Sequence, residues 1–180
     1  MHKAVLTVLG VAVAAGVAAA ATFAWDVTGP SSSQSPYLVR SQAGVITKSI
    51  LTVGDAVGGY RLAGLPDGLG AFDNGDGTFT VLANHEIRTG RGAVRAHGAS
   101  GSFVSRWTIR KGSLAVVSGG DLIQQIATWN AAAGSFNPPA SGVALNRLCS
   151  ADLPPVSAFF DAASGLGYAG RLFMDGEESG

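Results

Sequence analysis

The stretch from residue 64 to residue 86 constrains the fold more than any other part of the chain. It holds two β-strand segments, and the second, at residues 78–82, alternates threonines with apolar residues. Between them lie the dipeptides Asn74-Gly75 and Asp76-Gly77, which tolerate the positive φ of a tight hairpin turn. The stretch therefore predicts a β-hairpin whose two outer ends come together.

Composition favours a turn-rich β protein over a helical one. Twenty-six glycines separate short runs of Val, Thr and Phe. A second alternating segment at residues 102–109, followed by residues 114–117, predicts another hairpin. Only residues 121–133 have the apolar spacing of a short helix, with Leu122, Ile126 and Trp129 on one side and Asp121 as its N-cap.

The first residues predict export. Lys3 precedes an uncharged, Ala- and Val-rich run at residues 4–24, and Ala19-Ala20-Ala21 matches a cleavage pattern. We interpret residues 1–24 as a secretory signal peptide that forms the N-terminal signal helix. The alternative is an uncleaved anchor, which would be the chain's one membrane contact. Residues 25–35 are polar and rich in Ser, Gly and Pro, and predict a flexible lead-in.

Charge and motifs exclude several classes of function. Twelve basic and twelve acidic residues cancel, so no basic excess favours nucleic acid as a partner. The motifs of serine hydrolases, P-loop nucleotide-binding proteins and zinc proteases do not occur in the sequence. The single Cys149 cannot form an internal disulfide, and we interpret it as a small buried side chain. A free thiol, a bond to another chain and a metal ligand stay open.

Oxygen ligands occur at three predicted strand ends. Asp67 lies at the outer end of the first strand of the hairpin, and Asn84 and Glu86 lie at the outer end of its second strand. Asp175 and the pair Glu177-Glu178 follow the last predicted strand, at residues 171–174. Calcium binds six to eight oxygens from carboxylates and carbonyls. Strand ends that converge on one edge would supply such ligands, whereas separate ends would leave ordinary solvated acids.

Histidine and arginine side chains near the hairpin end are the candidates for catalysis. His85 adjoins Glu86, and the loop at residues 87–101 carries Arg95 and His97. Connections of this length are often functional. The same loop contains Arg88 and Arg91, and arginine suits bidentate contact with phosphate. The histidines are ligands, bases or ordinary polar residues, and the arginines bind phosphate or are solvated.

Three segments together resemble the PhoX-type secreted phosphatases. Residues 66–72 (PDGLGAF) and 77–86 (GTFTVLANHE) resemble that family's strand and its Asn-His-Glu signature. Residues 170–178 (GRLFMDGEE) resemble its strand that ends in a Glu-Glu pair. The order of the segments also agrees, and together they cover about a quarter of the chain.

The resemblance implies a six-bladed β-propeller that is exported and hydrolyses phosphomonoesters with calcium and an iron centre. Glu86 and Glu177 or Glu178 would be metal-site carboxylates, and a small phosphate ester would be the substrate. The family has an iron-bridging cysteine just before the Glu-Glu pair, where this chain has Gly176. The resemblance therefore implies calcium here and departs from the family at iron.

We predict a mostly β fold in which antiparallel hairpins form part of a β-propeller over residues 36–180. At roughly 40 to 45 residues per blade, this length holds about three blades. We therefore expect the sequence to be the amino-terminal part of a longer protein. Two other functions stay open: a non-catalytic exported propeller or β-sandwich that binds a partner, and a lactonase- or phytase-like propeller hydrolase.

Overall fold

The protein, in a computed structural model, is described at residues 26–38 and 41–178, and the predicted signal peptide lies outside these residues. One turn of 3₁₀ helix occurs at Val156–Ala158. The strands in the described residues are Asp26–Val27 (β1), Thr47–Lys48 (β2), Ala56–Val57 (β3), Tyr60–Arg61 (β4), Pro66–Asp73 (β5), Thr78–His85 (β6), Phe103–Arg110 (β7), Val116–Asp121 (β8), Trp129–Asn130 (β9), Ser135–Phe136 (β10), Leu148–Asp152 (β11), Phe160–Asp161 (β12), Leu166–Gly167 (β13) and Met174–Glu177 (β14).

The first predicted hairpin is confirmed. Strands β5 and β6 pair antiparallel from Asp73 opposite Phe79 to Pro66 opposite His85, so the two outer ends meet. The turn between them uses Gly75 at φ 79° and Gly77 at φ 84°, in the left-handed region that the two glycine dipeptides permit. The pairing fixes the backbone positions of the candidate site residues Asn84 and His85 at the end of β6.

The second hairpin is also confirmed and extends the first into one sheet. Strands β5, β6, β7 and β8 form a four-stranded antiparallel sheet in sequence order. Along β7, Phe103, Ser105, Trp107 and Ile109 are buried on one face, as the alternation predicts. Val104 is buried too, because the opposite face of the sheet is covered as well.

Two apolar cores lie on the two faces of this sheet. On one face the buried residues are Leu62, Trp107, Ile109 and Val116, against which Tyr60 and Val81 pack. The buried residues on the other face are Leu82, Val104 and Leu148. Because successive side chains of a strand point to opposite faces, β6 contributes Val81 to the first core and Leu82 to the second.

A strand pair packs against the second face. Strands β11 and β14 are antiparallel, and β11 lies against β5 and β6. The close approach depends on Gly68, where a Cβ atom would lie 2.4 Å from the backbone nitrogen of Ala151. This pair brings the last described strand, which is far away in sequence, to the end of the first hairpin.

The predicted helix over residues 121–133 is wrong. Asp121 ends β8, Ile126 forms an antiparallel bridge with Ala140, and Trp129 lies in β9. The backbone of this segment bonds to distant strands, as the Leu122 N–H does to the Val104 carbonyl at 2.8 Å. Tertiary pairing therefore overrides a helical spacing that local sequence alone suggested.

The last strand also lies later than predicted. We expected a strand at residues 171–174, whereas β14 begins at Met174 and runs to Glu177. The shift places Asp175 and Glu177 inside the strand rather than beyond it. The acidic side chains are thus held by strand pairing, which fixes their positions more firmly than a loose tail would.

The mostly β prediction is confirmed, with antiparallel sheets and almost no helix in the described residues. A closed ring of blades is not formed by residues 26–38 and 41–178. The stretch interpreted as a lead-in makes specific contacts: the Ser31 hydroxyl accepts a hydrogen bond from Val116 N–H at 3.0 Å. No helix in the described part of the chain is long and apolar enough to span a bilayer.

Gly119 and Gly120 in β8 offer a matched test of the first core. A Cβ on Gly119 would lie 2.4 Å from the Trp107 ring and 2.7 Å from the Tyr60 ring, whereas one on Gly120 would meet nothing within 4 Å. We expect Gly119→Ala to lower the free energy of unfolding by about 1–3 kcal/mol through overpacking. Gly120→Ala should change it by about 0.5 kcal/mol or less. Urea unfolding measures both, and equal effects would contradict this packing.

Candidate functional site

The end of β6 sends its polar side chains to opposite faces of the sheet. Asn84 lies on the face with Leu82, and His85 lies on the face with Val81, because adjacent residues of a strand alternate. Both side chains are fully buried. The candidates that lie side by side in sequence therefore belong to two separate clusters.

The first cluster, which we call the carboxylate edge, consists of Asn84, Glu86, Asp175, Glu177 and Glu178. Asn84 forms a hydrogen bond to one other member of this set. Its side-chain oxygen accepts from the Gly68 N–H at 2.6 Å, and its amide nitrogen donates to the Ser150 carbonyl at 3.2 Å and to Asp175 at 2.9 Å. One buried amide thus joins β5, β11 and β14.

Asp175 is half-buried and pairs with Ala151 of β11. Desolvation by burial raises the pKa of its carboxyl group, and the hydrogen bond from Asn84 opposes that rise. Sequence reasoning placed Asp175 with the acidic strand end but gave no reason to single it out. Its contact with Asn84, 91 residues earlier, depends on strand packing that no local motif signals.

Arg147 connects the two predicted metal-site segments. Its guanidinium lies 3.6 Å from Glu86 and 3.1 Å from Glu178. The neighbouring Asn146 N–H donates to the Glu177 carboxylate at 2.5 Å. Arg147 thus lies between Glu86 and Glu178, and Glu177 binds the adjacent residue; sequence reasoning missed this arginine.

Asp67 lies apart from these contacts. It is exposed in β5, at the irregular part of the pairing between Pro66 and Leu69. In the described residues, no hydrogen bond or ion pair joins its side chain to the carboxylate edge. Its one connection is the adjacent Gly68, whose N–H binds Asn84.

The donor atoms of the carboxylate edge are the kind that calcium prefers, but their partners are protein groups. Glu86 and Glu178 contact Arg147, and Asp175 accepts from Asn84. Within residues 26–38 and 41–178, no three His, Cys, Asp or Glu side chains are close enough to form a ready metal site. The arrangement thus fits calcium in chemistry and does not provide a preformed cage.

The second cluster surrounds His85. Its Nε2 lies 2.8 Å from the Ser105 hydroxyl, and its Nδ1 lies 3.4 Å from the Gly64 carbonyl. With the ring proton on Nδ1, the neutral ring donates to the Gly64 carbonyl and accepts at Nε2 from the Ser105 hydroxyl, which also lies 3.3 Å from the Ala83 carbonyl. The imidazole stacks on Phe103 with ring centroids 4.2 Å apart. Burial lowers the pKa of His85 to about 4.

Arg95 faces inward, although it belongs to the long loop. Its guanidinium lies 3.5 Å from the centre of the Phe103 ring and 3.6 Å from Asp121. Asp121 also accepts from the Ala96 N–H at 2.8 Å and from the Tyr60 hydroxyl, whose pKa is raised by burial and by this carboxylate. Arg95 therefore holds the loop against the sheet and is not presented to solvent for a ligand.

His97 is fully buried in the same loop. Its carbonyl accepts a hydrogen bond from Gly142 N–H at 2.7 Å. Neither ring nitrogen has a hydrogen-bond partner among the described residues. The structure does not bring His97 into hydrogen-bond contact with His85 or with the carboxylate edge, so the three predicted catalytic side chains do not form one constellation.

Comparisons of the chain with models of known families, with curated proteins and with solved structures found no match. The family resemblance therefore rests on the three sequence segments alone. What the structure adds is where those segments lie: two of them, 77–86 and 170–178, meet at the carboxylate edge.

The His85 environment predicts a dependence of stability on pH. In the unfolded chain His85 takes up a proton near pH 6.5, but in the folded protein it does so only near pH 4. The stability it contributes is thus present above about pH 6.5 and is lost as pH falls through about 4. At about 1.4 kcal/mol per pKa unit, the loss is on the order of 3 kcal/mol.

We expect His85→Gln to flatten this part of the stability profile. Gln keeps a hydrogen-bonding group for Ser105 but does not titrate in this range. Urea unfolding of both proteins from pH 8 to pH 4 measures the effect, with the offset at pH 8 taken as the packing difference. Parallel profiles for the two proteins would show that burial of His85 does not govern this titration.

Proposed function

We propose that the protein is part of an exported, calcium-dependent β-propeller hydrolase of phosphomonoesters, as the resemblance to PhoX-type phosphatases implies. The observation that carries this proposal is the meeting of the Asn-His-Glu strand end with the Glu-Glu strand end. Arg147 contacts both Glu86 and Glu178, and Asn84 contacts Asp175. Two segments singled out for one function from sequence are neighbours in space.

The form of the central sheet supports the same proposal. A propeller blade is a four-stranded antiparallel sheet, and β5, β6, β7 and β8 have that form and sequence order. Blades pack through both faces, and both faces of this sheet carry an apolar core. Export is proposed from residues 1–24 alone.

Calcium bound at the carboxylate edge would neutralise phosphate charge and activate an oxygen nucleophile. The chain's own residues have defined tasks there. Asn84 orients Asp175 through a 2.9 Å hydrogen bond. Glu86 and Glu178 provide carboxylates that face Arg147, so a cation would compete with the guanidinium for them. An iron centre has less support than calcium, because Gly176 stands where the family has its iron-bridging cysteine. Gly176 has no side chain that could bind a metal, and it pairs with Ser150 in the strand.

The proposal predicts that Glu86→Gln weakens calcium binding by the full chain at least about tenfold and lowers hydrolysis of p-nitrophenyl phosphate in parallel. The charge of one oxygen ligand is lost while its size is kept. Asp76→Asn is the matched control, because Asp76 lies in the hairpin turn at the opposite end of β6 and makes only local hydrogen bonds. Calorimetry and an initial-rate assay give the two readouts.

If the folded, calcium-loaded protein shows no turnover and Glu86→Gln leaves calcium binding unchanged, the hydrolase proposal fails. The variant's far-ultraviolet circular dichroism and unfolding midpoint establish that it is folded. Equal losses in Glu86→Gln and Asp76→Asn would also count against a site at the carboxylate edge, because the control lies outside it.

The second proposal is a non-catalytic binding module. Two observations favour it: Arg147 already compensates Glu86 and Glu178, and an apolar pocket of about 290 Å³ opens on the other face of the sheet. Leu62, Trp107 and Ile109 contribute to that pocket. A folded protein that neither binds calcium nor hydrolyses the ester would support this module over the hydrolase.

A further inference from the structure

A pocket of about 300 Å³ adjoins the carboxylate edge and carries an excess of positive charge. Its lining residues are Leu65, Glu86, Ile87, Arg88, Arg91 and Arg147. The lining includes three guanidinium groups and one carboxylate, and Glu178 also contacts Arg147. The pocket therefore favours an anion, because its three guanidinium groups outnumber the two carboxylates, Glu86 and Glu178.

The arginines in this pocket differ in how far the protein itself neutralises them. Arg88 and Arg91 are exposed, and in the described residues neither forms an ion pair with an acidic side chain. The Arg91 N–H donates to the Arg88 carbonyl at 3.0 Å, so both belong to one tight turn. Arg95, from the same loop, is bound to Asp121 and Phe103 instead.

Arg147 supplies the fixed side of the pocket. Its side chain is four-fifths buried and is held by Glu86 and Glu178 on either side. A guanidinium presents five N–H donors, so two carboxylates do not exhaust it. The pocket thus combines one positioned arginine with two on a surface turn, and Leu65 and Ile87 add apolar wall beside them.

We propose that Arg88, Arg91 and Arg147 bind the phosphate group of a small phosphomonoester, with Leu65 and Ile87 against its organic part. This inference rests on the proposed hydrolase function and names the place where its substrate binds. Phosphate monoesters carry a charge of about −1.5 to −2 at neutral pH, and arginine contacts their oxygens in bidentate fashion. The volume lies at the lower end for small-molecule sites, which favours a small ester.

Phosphate binding to the full chain in calcium-chelated buffer separates this inference from the hydrolase itself. Calorimetry is used with two probes: inorganic phosphate, and phenylphosphonate as an ester analogue that is not hydrolysed. We expect both to bind, and the phosphonate at least as tightly, because its ring contacts Leu65 and Ile87. A phosphonate that binds more than about tenfold more weakly than phosphate would overturn the ester assignment.

The variants Arg88→Gln and Arg91→Gln test which residues form the pocket. Each should weaken binding of both probes about tenfold or more, because a tenfold change in affinity corresponds to the free energy that a charge-assisted hydrogen bond usually contributes. Arg110→Gln is the matched control, because Arg110 is exposed at the other end of β7, opposite Thr78. It removes the same charge and should leave binding within about twofold.

Each outcome has a distinct meaning. Binding that is lost in Arg88→Gln and Arg91→Gln but kept in Arg110→Gln supports the pocket even where no turnover is seen. If Glu86→Gln also leaves calcium binding unchanged, the hydrolase proposal alone fails. Absence of binding in the unaltered protein overturns the pocket. Equal losses in all three variants also overturn it, because they would reflect net charge rather than this site.

Discussion

The structure depends on the alternation of side chains along β6. This strand lies between β5 and β7, and both of its faces are covered. Asn84 and His85 are both buried at its end, but each must find polar partners on a different face. An unpaired buried amide or imidazole would cost free energy of the order of 1–3 kcal/mol. The strands that carry the polar partners of Asn84 and His85 are therefore held next to the end of β6.

Asn84 meets that requirement by hydrogen bonding to three strands, and this contact gives the acidic strand end its position. Asn84 donates to the Ser150 carbonyl in β11 and to Asp175 in β14. Because β14 pairs with β11, Glu177 and Glu178 follow β14 toward Glu86. The amide of Asn84 therefore adds hydrogen bonds to a position of β14 that strand pairing with β11 also supports.

The first hairpin and the second could be predicted because their signals are local. The turn glycines and the alternation in residues 78–82 and 102–109 lie within each element. A helix was wrongly predicted for residues 121–133 because their apolar spacing fits one. Their backbone instead forms hydrogen bonds with Val104 and Ala140. Long-range pairing of this kind leaves no signal in a short window of sequence.

The candidate site shows the same division between local and distant information. Glu86 and the pair Glu177-Glu178 could be singled out because they follow strand patterns. Arg147 could not, since it lies in an irregular stretch without a motif and gains its place only when β11 packs against β5. Arg95 was singled out for its loop and its residue type, but its contact with Phe103 and Asp121 depends on how that loop folds back.

Arg147 also offsets negative charge at the carboxylate edge. Glu86 and Glu178 carry like charges and would repel each other if no cation lay between them. The guanidinium between them removes that cost, and it leaves N–H donors that can face the neighbouring pocket. A cation at the proposed edge site and an anion in the proposed pocket would therefore both lie near this side chain. Because Arg147 contacts the carboxylate edge and also lines the pocket, the charge of a ligand in either proposed site would change the electrostatic environment of the other.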